Sequence, residues 1–300
     1  MSDLYSDMAD TDFSRARLRE IFSRIGGFLM PGQRRLLGFD EVKAVIKPGA
    51  EAYRGIIPVS LKLIVGSEGR YSDFARGFLP KHEFLRLRWV RVDLARYRDI
   101  SLPPIRLYEL GGAYFVRDGN HRVSVASLQG IEEIDAEVIS LGSEVRIHPK
   151  MTIDDLTQAV IGYEKEQFYL NTDFGWITGD PGIDFSAPGR YDEIMEHILV
   201  HKYYINQESR IEISLHDAIS SWYDSVYKPI ADTIRAEHLA SRFPGRTPGD
   251  LYAYIVKHWD QLKRKYGIHL PADVAVRDFS LRYGKNLWQQ IHDFFSPRGD

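Results

Sequence analysis

YFVRDGNHRVSVASLQG, residues 114–130, contains the strongest structural signal in this chain. Its apolar start is typical of a buried strand, and residues 123–128 begin a helix-like run that Gly130 ends. Between the two lies the turn Asp-Gly-Asn-His-Arg. A strand that passes through a glycine turn into a helix presents free backbone N–H groups, and the helix dipole favours an anion there. The stretch therefore predicts an anion-binding turn.

The side chains of this turn suit that chemistry. Gly119 allows a ligand to approach the backbone closely. Arg122 falls in the first helical turn, where its guanidinium could bind a phosphate or carboxylate through two donors. His121 could donate to the same anion or transfer a proton near neutral pH. Asp118 cannot bind an anion, so it holds a metal ion, orients Arg122 or His121, or caps the helix. An Asp-capped helix with solvated His and Arg is the alternative explanation.

Composition excludes several classes of function. The chain has 300 residues, of which 44% are hydrophobic and 27% charged, and its net charge is −3. A global basic field for nucleic acid is therefore absent, although local patches remain open. The absence of cysteine excludes disulfides, thiol catalysis and thiolate metal sites. The acidic N-terminus is no signal peptide, and no apolar run reaches the roughly 20 residues of a membrane span, so we expect a cytoplasmic protein.

Hydrophobic periodicity divides the chain into three parts. Residues 1–55 are predicted to form an N-terminal helical arm with a frayed start at 1–13. Residues 56–150 combine strands and helices, and residues 151–300 follow as an all-helical C-terminal domain. The predicted fold class is therefore α+β, with a small mixed sheet and flanking helices followed by a helical half.

The individual elements follow from local patterns. Strands are predicted at 56–65, 102–110 and 134–141, and GGAYFV at 111–116 is the hairpin partner of the second one. A broken helical region is expected between them, at 71–100. Helical patterns in the second half occupy 191–205, 214–240, 248–266 and 284–295.

LYELGGAYFVRDGNHRVSVASLQG (107–130), with IIPVSLKLIVGSEGR (56–70) before it, resembles the core of the ParB/sulfiredoxin-like fold. The resemblance covers roughly residues 56–140. In that fold the turn holds the phosphates of a nucleotide, which is CTP in ParB partition proteins, ATP in sulfiredoxin, and ADP or ATP in free-serine kinases. The resemblance implies a nucleoside di- or triphosphate with Mg²⁺ and no metal site formed by the protein alone. The residues that it implies for binding are Asp118, Gly119, Asn120, His121, Arg122, Ser67 and Arg70.

This sequence differs from members of that family in several features, and these differences reduce the number of activities that we expect. Sulfiredoxin needs a cysteine at the turn, so a sulfinic-acid reductase is excluded. No helix-turn-helix DNA reader stands out after residue 140, unlike in ParB proteins. Serine kinases of this fold use a glutamate in the loop after the first strand, and Glu68 lies where such a base would be. An equally good alternative is that Glu68 is a solvated turn residue.

The second half resembles a bacterial domain of unknown function, in the segments APGRYDEIMEHILVHKYY, SWYDSVYKPI and FPGRTPGDLYAYIVKH.

Three weaker signals concern other ligands. Residues 70–98 contain eight Arg or Lys but only three Asp or Glu. This excess of basic residues makes Arg86, Arg88 and Arg91 candidates for nucleic-acid contact. His197 and His201 are spaced i, i+4, but helix-surface histidines explain them better than a metal site does. Arg246 follows a glycine and precedes a capped helix start, where it is a candidate second anion contact.

Three hypotheses follow. The first is a nucleotide-binding switch or slow NTPase whose helical half transmits occupancy to a partner. The second is a small-molecule kinase with Glu68 as base and with His121 and Arg122 stabilising charge. The third is a DNA-associated transcriptional regulator or nuclease. The expected partners are the nucleotide and either DNA or another protein, a second copy of the chain included, and no membrane.

Overall fold

The structure, a computed structural model, divides the chain into two compact units, Met1–Val160 and Ile161–Asp300. The helix predicted at 284–295 lies outside the described residues, which are 2–26, 35–180, 182–208, 211–266 and 272–283.

The first unit contains a mixed sheet with helices. Its strands are β1 (Leu37–Gly38), β2 (Glu51–Ser60), β3 (Ile64–Ser67), β4 (Phe74–Ala75), β5 (Leu79–Pro80), β6 (Ile105–Leu110), β7 (Ala113–Asp118) and β8 (Glu133–Leu141). Its helices are α1 (Ser2–Gly26), α2 (Phe39–Ile46), α3 (Arg86–Tyr97) and α4 (Asn120–Leu128), and α5 (Ile153–Thr172) crosses the division between the units.

Six strands form one sheet in the order β1-β3-β7-β6-β8-β2. β3 runs parallel to β1 and β7, and β6 runs parallel to β8, whereas β6–β7 and β2–β8 are antiparallel. The predicted fold class, a mixed sheet with helices followed by a mostly helical half, is confirmed. The predicted hairpin is also present, because Leu110 pairs with Ala113 around Gly111 and Gly112, both at positive φ.

The strand predicted at 56–65 is two strands in the structure. β2 begins at Glu51 and pairs with β8, a 3₁₀ turn occupies Leu61–Leu63, and β3 then pairs with β7. The apolar run is continuous because β3 is buried along its whole length, so hydrophobicity does not mark the turn between the strands.

The region 71–100, predicted to be helical and broken, contains less helix than expected. β4 and β5 form a two-stranded antiparallel sheet there, and only Arg86–Tyr97 is α-helical. Gly77 has a positive φ in the 3₁₀ turn between these strands, a conformation that interrupts a helix.

The N-terminus is not frayed, because α1 extends from Ser2 to Gly26. Tertiary packing explains the difference. Phe13 and Ala16 are buried, and the Phe13 ring meets Trp89 of α3 edge-on at 5.6 Å. Trp89 in turn donates from Nε1 to Ser124 Oγ at 2.8 Å, which fixes α3 to α4. The start of α4 is therefore held from two sides, by α3 and by the sheet.

The described residues of the second unit form helices joined by loops, with no strand among them. Its core contains the fully buried rings of Trp222, Tyr252 and Phe279. A π-helical turn, Tyr223–Tyr227, connects α8 to α9. None of the helices in the described ranges combines the length and apolarity needed to cross a membrane. The helices after α5 are α6 (Phe174–Thr178), α7 (Arg190–Glu208), α8 (Leu215–Trp222), α9 (Lys228–Ala236), α10 (Pro248–Tyr266) and α11 (Ala272–Tyr283).

Candidate anion-binding site

The loop after β3 and the turn after β7 lie at the same edge of the sheet. These strands are parallel neighbours, and Ser67 pairs with Val116 near their carboxyl ends. The N–H of Glu68 donates to the carbonyl of Val116 at 2.9 Å, which extends the pairing by one residue. Ligands of open α/β sheets commonly bind at the carboxyl ends of strands, and this edge has that geometry.

A cavity of about 140 Å³ lies at this edge, which we call the turn cavity. Four arginines and two carboxylates line it, so its formal charge is positive. It is smaller than the roughly 300–1,000 Å³ of most small-molecule pockets, and it suits one anionic group rather than a whole nucleotide. Its lining residues are Glu68, Arg70, Arg88, Val92, Arg117, Asp118, Gly119, Asn120, His121 and Arg122.

Gly119 is required by both its backbone conformation and its surroundings. Its φ is +111°, a value that residues with a side chain rarely adopt. A Cβ at this position would lie 2.4 Å from Ile105 Cγ2, and Ile105 is fully buried. The glycine in the sequence motif therefore lets the chain turn directly above the sheet.

The N-terminus of α4 faces the cavity without a capping side chain. Gly119 is its N-cap, and the N–H of Val123 donates to the Gly119 carbonyl at 3.0 Å. The N–H groups of Asn120, His121 and Arg122 precede that bond and have no intrahelical acceptor. Uncapped N–H groups and the helix dipole both attract negative charge.

Two buried side chains at this helix end have polar atoms without a hydrogen-bond partner. They are the Asn120 Oδ1 atom and both ring nitrogens of His121, and both residues line the turn cavity. Buried polar atoms are nearly always paired in folded proteins, so such a cluster marks a place where a ligand group or water completes the bonding.

His121 is buried, and its ring meets Phe74 edge-on at 5.5 Å. Burial, followed by the charges of Arg70 and Arg88, lowers its pKa to about 4. The imidazole is therefore neutral at neutral pH. An anion beside it would oppose both causes and raise this pKa.

The guanidinium of Arg122 donates hydrogen bonds to other groups of the same chain. It donates to the carbonyls of Pro103 and Pro104, the latter at 3.0 Å, and to Asp118 Oδ2. Its side chain is only 13% exposed. Of the three roles open to Asp118, orienting Arg122 is the one that this geometry displays. Arg122 therefore anchors the turn to the proline segment, and its direct contribution to an anion is limited to its charge.

The other three arginines of the turn cavity form fewer hydrogen bonds and ion pairs with described residues than Arg122 does. Arg70 pairs with Asp73 at 2.8 Å, and Arg117 lies 5.5 Å over the Tyr108 ring with its Nε atom 4.0 Å from Glu68. Arg88 forms no ion pair with any described residue. Arg117 was not singled out from the sequence, although it directly precedes the DGNHR motif; Arg88, a candidate for nucleic-acid contact from the sequence, lines the cavity.

Three other predicted site residues lie elsewhere. Ser67 is fully buried and donates to the carbonyl of Val116 at 3.1 Å, so it belongs to the strand pairing and not to the cavity lining. Arg86 pairs with Glu83 and Asp10 and stacks over Phe13 at 4.6 Å. Arg91 is exposed on α3, outside the turn cavity.

A larger cavity of about 610 Å³ adjoins the turn cavity and shares Val92 and Arg122 with it. The proline segment held by Arg122 forms part of its wall, together with the apolar side chains of Ile100, Ile131 and Ile134. Three carboxylates also line it, from Asp99, Glu133 and Asp135. This cavity offers apolar surface and hydrogen-bond acceptors directly beside a cationic pocket.

In the second unit each histidine of the pair has a hydrogen-bonding neighbour on another helix. The Nδ1 atom of His197 lies 3.3 Å from the Tyr252 hydroxyl, and His201 Nε2 lies 2.9 Å from Ser221 Oγ. Burial lowers the pKa of both histidines. The residues that the structure describes contain no cluster of three or more His, Asp or Glu suited to a metal ion.

The helix start predicted after PGRT is capped. The N–H of Thr247 donates to Asp250 Oδ2 at 2.9 Å, and the N–H of Asp250 donates to Thr247 Oγ1 at 3.1 Å. Arg246 donates to Ser186 Oγ at 3.0 Å. These hydrogen bonds give the PGRT segment a structural role at the start of the helix.

Comparisons of this chain with protein-family models, with curated proteins and with solved structures found no match.

Proposed function

We propose that this protein binds a nucleoside di- or triphosphate, with one of its phosphate groups in the turn cavity. The observation that carries the proposal is the convergence of Arg70, Arg88 and Arg117 on the uncapped N-terminus of α4. Cationic side chains and free N–H groups around a small cavity are the usual means of binding a phosphate. The unpartnered nitrogens of His121 supply one more donor there.

The adjoining cavity supports a nucleotide over a simple anion. Its apolar residues suit a base, and its carboxylates suit the hydroxyl groups of a ribose or the amino group of a base. Because Val92 and Arg122 line both cavities, one ligand could occupy the two together. The order of strand, polar loop, hairpin, glycine turn and helix also agrees with the ParB/sulfiredoxin-like fold, whose members bind CTP, ATP or ADP at this turn.

Mg²⁺ would accompany the phosphates, because they carry most of the charge that binds this ion in nucleotide sites. Glu68 and Asp118 are the carboxylates of the turn cavity. They are the residues of this chain that would meet such an ion. We expect Mg²⁺ to increase nucleotide affinity and to bind weakly without nucleotide.

Replacing Arg88 tests the phosphate site. Loss of a charged hydrogen bond costs about 1.5–3 kcal/mol, so Arg88→Ala should weaken nucleotide binding by roughly 10- to 150-fold. Titration calorimetry with ATP, ADP, CTP and GTP, each with and without Mg²⁺, measures this and identifies the base. Arg91→Ala is the matched control, because Arg91 is exposed on the same helix outside the cavity. No binding of any nucleotide by the wild type, or equal losses in both variants, would contradict the proposal.

Glu68 supports a second candidate function, phosphoryl transfer to a small acceptor. It is partly exposed, lines the same cavity as the turn, and lies 4.0 Å from Arg117. A base in this position would lie close to the bound phosphates, whereas the nucleotide-binding switch needs no such group.

Glu68→Gln separates the two candidates. We expect it not to weaken nucleotide binding measured without Mg²⁺, because it removes no cationic group, and to abolish acceptor-dependent ADP formation if Glu68 is the base. Single-turnover assays with candidate acceptors such as free serine provide the readout. Unchanged turnover would exclude Glu68 as base and leave the switch or slow NTPase as the function.

The DNA-associated alternative has less support. Of the three arginines predicted to contact nucleic acid, Arg86 is ion-paired and Arg88 lines the turn cavity. The remaining candidate is Arg91. A steep fall of DNA affinity with salt would restore this alternative, since phosphate contacts release counterions.

A further inference from the structure

Helix α1 has two opposite faces of different character. One face is buried against the first unit through Ala9, Phe13 and Ala16. The other presents large apolar side chains to solvent, with exposed fractions of 62% for Leu4, 39% for Met8, 53% for Leu18 and 68% for Phe22. A helix that packs on one unit needs only one apolar face, and the described residues of the first unit leave the second face exposed.

The spacing of the exposed face is that of a coiled-coil seam. Positions 4, 8, 11, 15, 18 and 22 alternate steps of four and three, and the outer two at each end are apolar. Such a period of about 3.5 residues suits another helix along its whole length, rather than a flat surface or a single ligand. Thr11 and Arg15 occupy the middle of the seam.

Charge along α1 selects the occupant and its direction. Beside the seam, the N-terminal half carries Asp7 and Asp12, whereas Arg15, which pairs with Asp12 at 2.8 Å, and Arg19 follow in the C-terminal half. Two copies of this helix in parallel would place like charges side by side. In the antiparallel arrangement the acidic half of one copy lies beside the basic half of the other, which is favourable along the whole contact.

From these observations we infer that α1 is a homodimerisation helix that pairs antiparallel with α1 of a second copy of this chain. Leu4 then faces Phe22 of the second copy, and Met8 faces its Leu18. The pairing is isologous, so every contact occurs twice and the assembly closes at two chains. It does not depend on the nucleotide site, because none of these residues lines the turn cavity.

A groove beside the seam provides a place for a charged contact. It has a volume of about 270 Å³ and is lined by Asp7, Met8, Thr11, Asp12, Arg15 and Tyr97. In the antiparallel dimer Arg19 of the second copy reaches this groove. Arg19 is exposed and forms no ion pair with any residue that the structure describes. The carboxylate of Asp7 would receive it, since Asp12 already accepts hydrogen bonds from Arg15 and Tyr97.

The oligomeric state tests the inference. Sedimentation equilibrium of the full chain should show a dimer, and Leu18→Glu/Phe22→Glu should raise its dissociation constant at least about 100-fold, because four buried apolar side chains become charged. Both side chains are exposed in the single chain, so the melting temperature at low concentration should not fall. Leu170→Glu/Val200→Glu, which changes two exposed apolar residues of the second unit, is the control that should remain dimeric. A wild type that stays monomeric at high micromolar concentration, or a variant that dimerises normally, would overturn the inference.

Cysteine cross-linking tests the direction of pairing, and the chain has no cysteine of its own. Met8→Cys and Leu18→Cys proteins of different tag length are mixed, equilibrated and oxidised. The antiparallel dimer gives the mixed disulfide and little of either homodimer. Predominant homodimer disulfides would indicate parallel pairing, and the absence of any disulfide would remove α1 from the interface; either result contradicts the proposed arrangement.

Discussion

Gly119→Ala should lower the free energy of unfolding by about 2–5 kcal/mol and abolish nucleotide binding. Two costs add at this position. The positive φ strains any residue with a Cβ by about 1–2 kcal/mol, and the contact with the buried Ile105 side chain adds an overpacking cost of about 1–3 kcal/mol. Relief of either cost requires the turn to move away from the sheet. The N–H groups at the start of α4 then no longer converge on the turn cavity.

Urea denaturation measures the change, and Gly130→Ala is the matched control. Gly130 lies just beyond the other end of α4 with a φ of +71°, and no atom lies within 4 Å of the Cβ it would gain. It therefore shows the backbone cost alone, about 1–2 kcal/mol, with nucleotide binding retained. Equal destabilisation by the two variants would mean that Gly119 is not pressed against Ile105.

The second large effect is a loss of stability in acid that originates from His121. Its pKa falls from 6.5 in the unfolded chain to about 4 in the folded protein, because burial and two arginines disfavour the imidazolium. The unfolded state therefore binds more protons between these values, and stability decreases as the pH falls. The loss begins near pH 6.5, is complete near pH 4, and amounts to about 3 kcal/mol from this group.

Comparison with His121→Gln isolates this contribution. His197 and His201 also have lowered pKa values, and the pKa of the buried Asp93 carboxyl is raised to about 6, mainly by burial. These groups are common to both proteins, so the difference between their stability–pH curves reports His121. The variant's curve should be flatter by about 3 kcal/mol between pH 6.5 and 4. Parallel curves would show that His121 titrates normally and is exposed to water.

Saturating nucleotide should reduce the same pH dependence. A bound phosphate places negative charge beside His121, raises its pKa and moves the folded value towards the unfolded one. This coupling also means that affinity should increase as the pH falls below neutrality.

Local patterns predicted the elements that surround the candidate site. The Pro-rich strand, the glycine hairpin, the turn and α4 were all expected within a few residues, because Pro and Gly restrict the backbone locally. The extent of β2 and the two-stranded sheet β4–β5 were missed, since buried strands and helices have similar apolar runs over such short lengths. The prediction of a frayed N-terminus was wrong for a related reason. Only contact with Trp89 shows that Phe13 has a partner to pack against.

For the candidate site, the sequence and the family resemblance indicated Glu68, Arg70 and residues 118–122, all of which line the turn cavity, and they missed Arg117. Glu68 and Arg70 lie beside the turn because β3 pairs in parallel with β7, a pairing that no local signal indicates. Arg88 joins the cavity from α3, which the Trp89–Ser124 hydrogen bond holds against α4, whereas Arg117 directly precedes the motif at the end of β7. On chemical grounds the sequence favoured Arg122 as an anion ligand. In the structure it instead donates hydrogen bonds to two carbonyls and a carboxylate of its own chain.

By itself the sequence determined the glycine turn, the helix that follows it and the α+β order of the chain, because these depend on backbone restrictions within a few residues. The tertiary structure alone decided the charge of the cavity, the burial that keeps His121 neutral and the orphaned atoms around it. Those properties depend on groups that are distant in the chain and close in space. Desolvation and Coulomb interactions act on spatial distance and not on sequence separation.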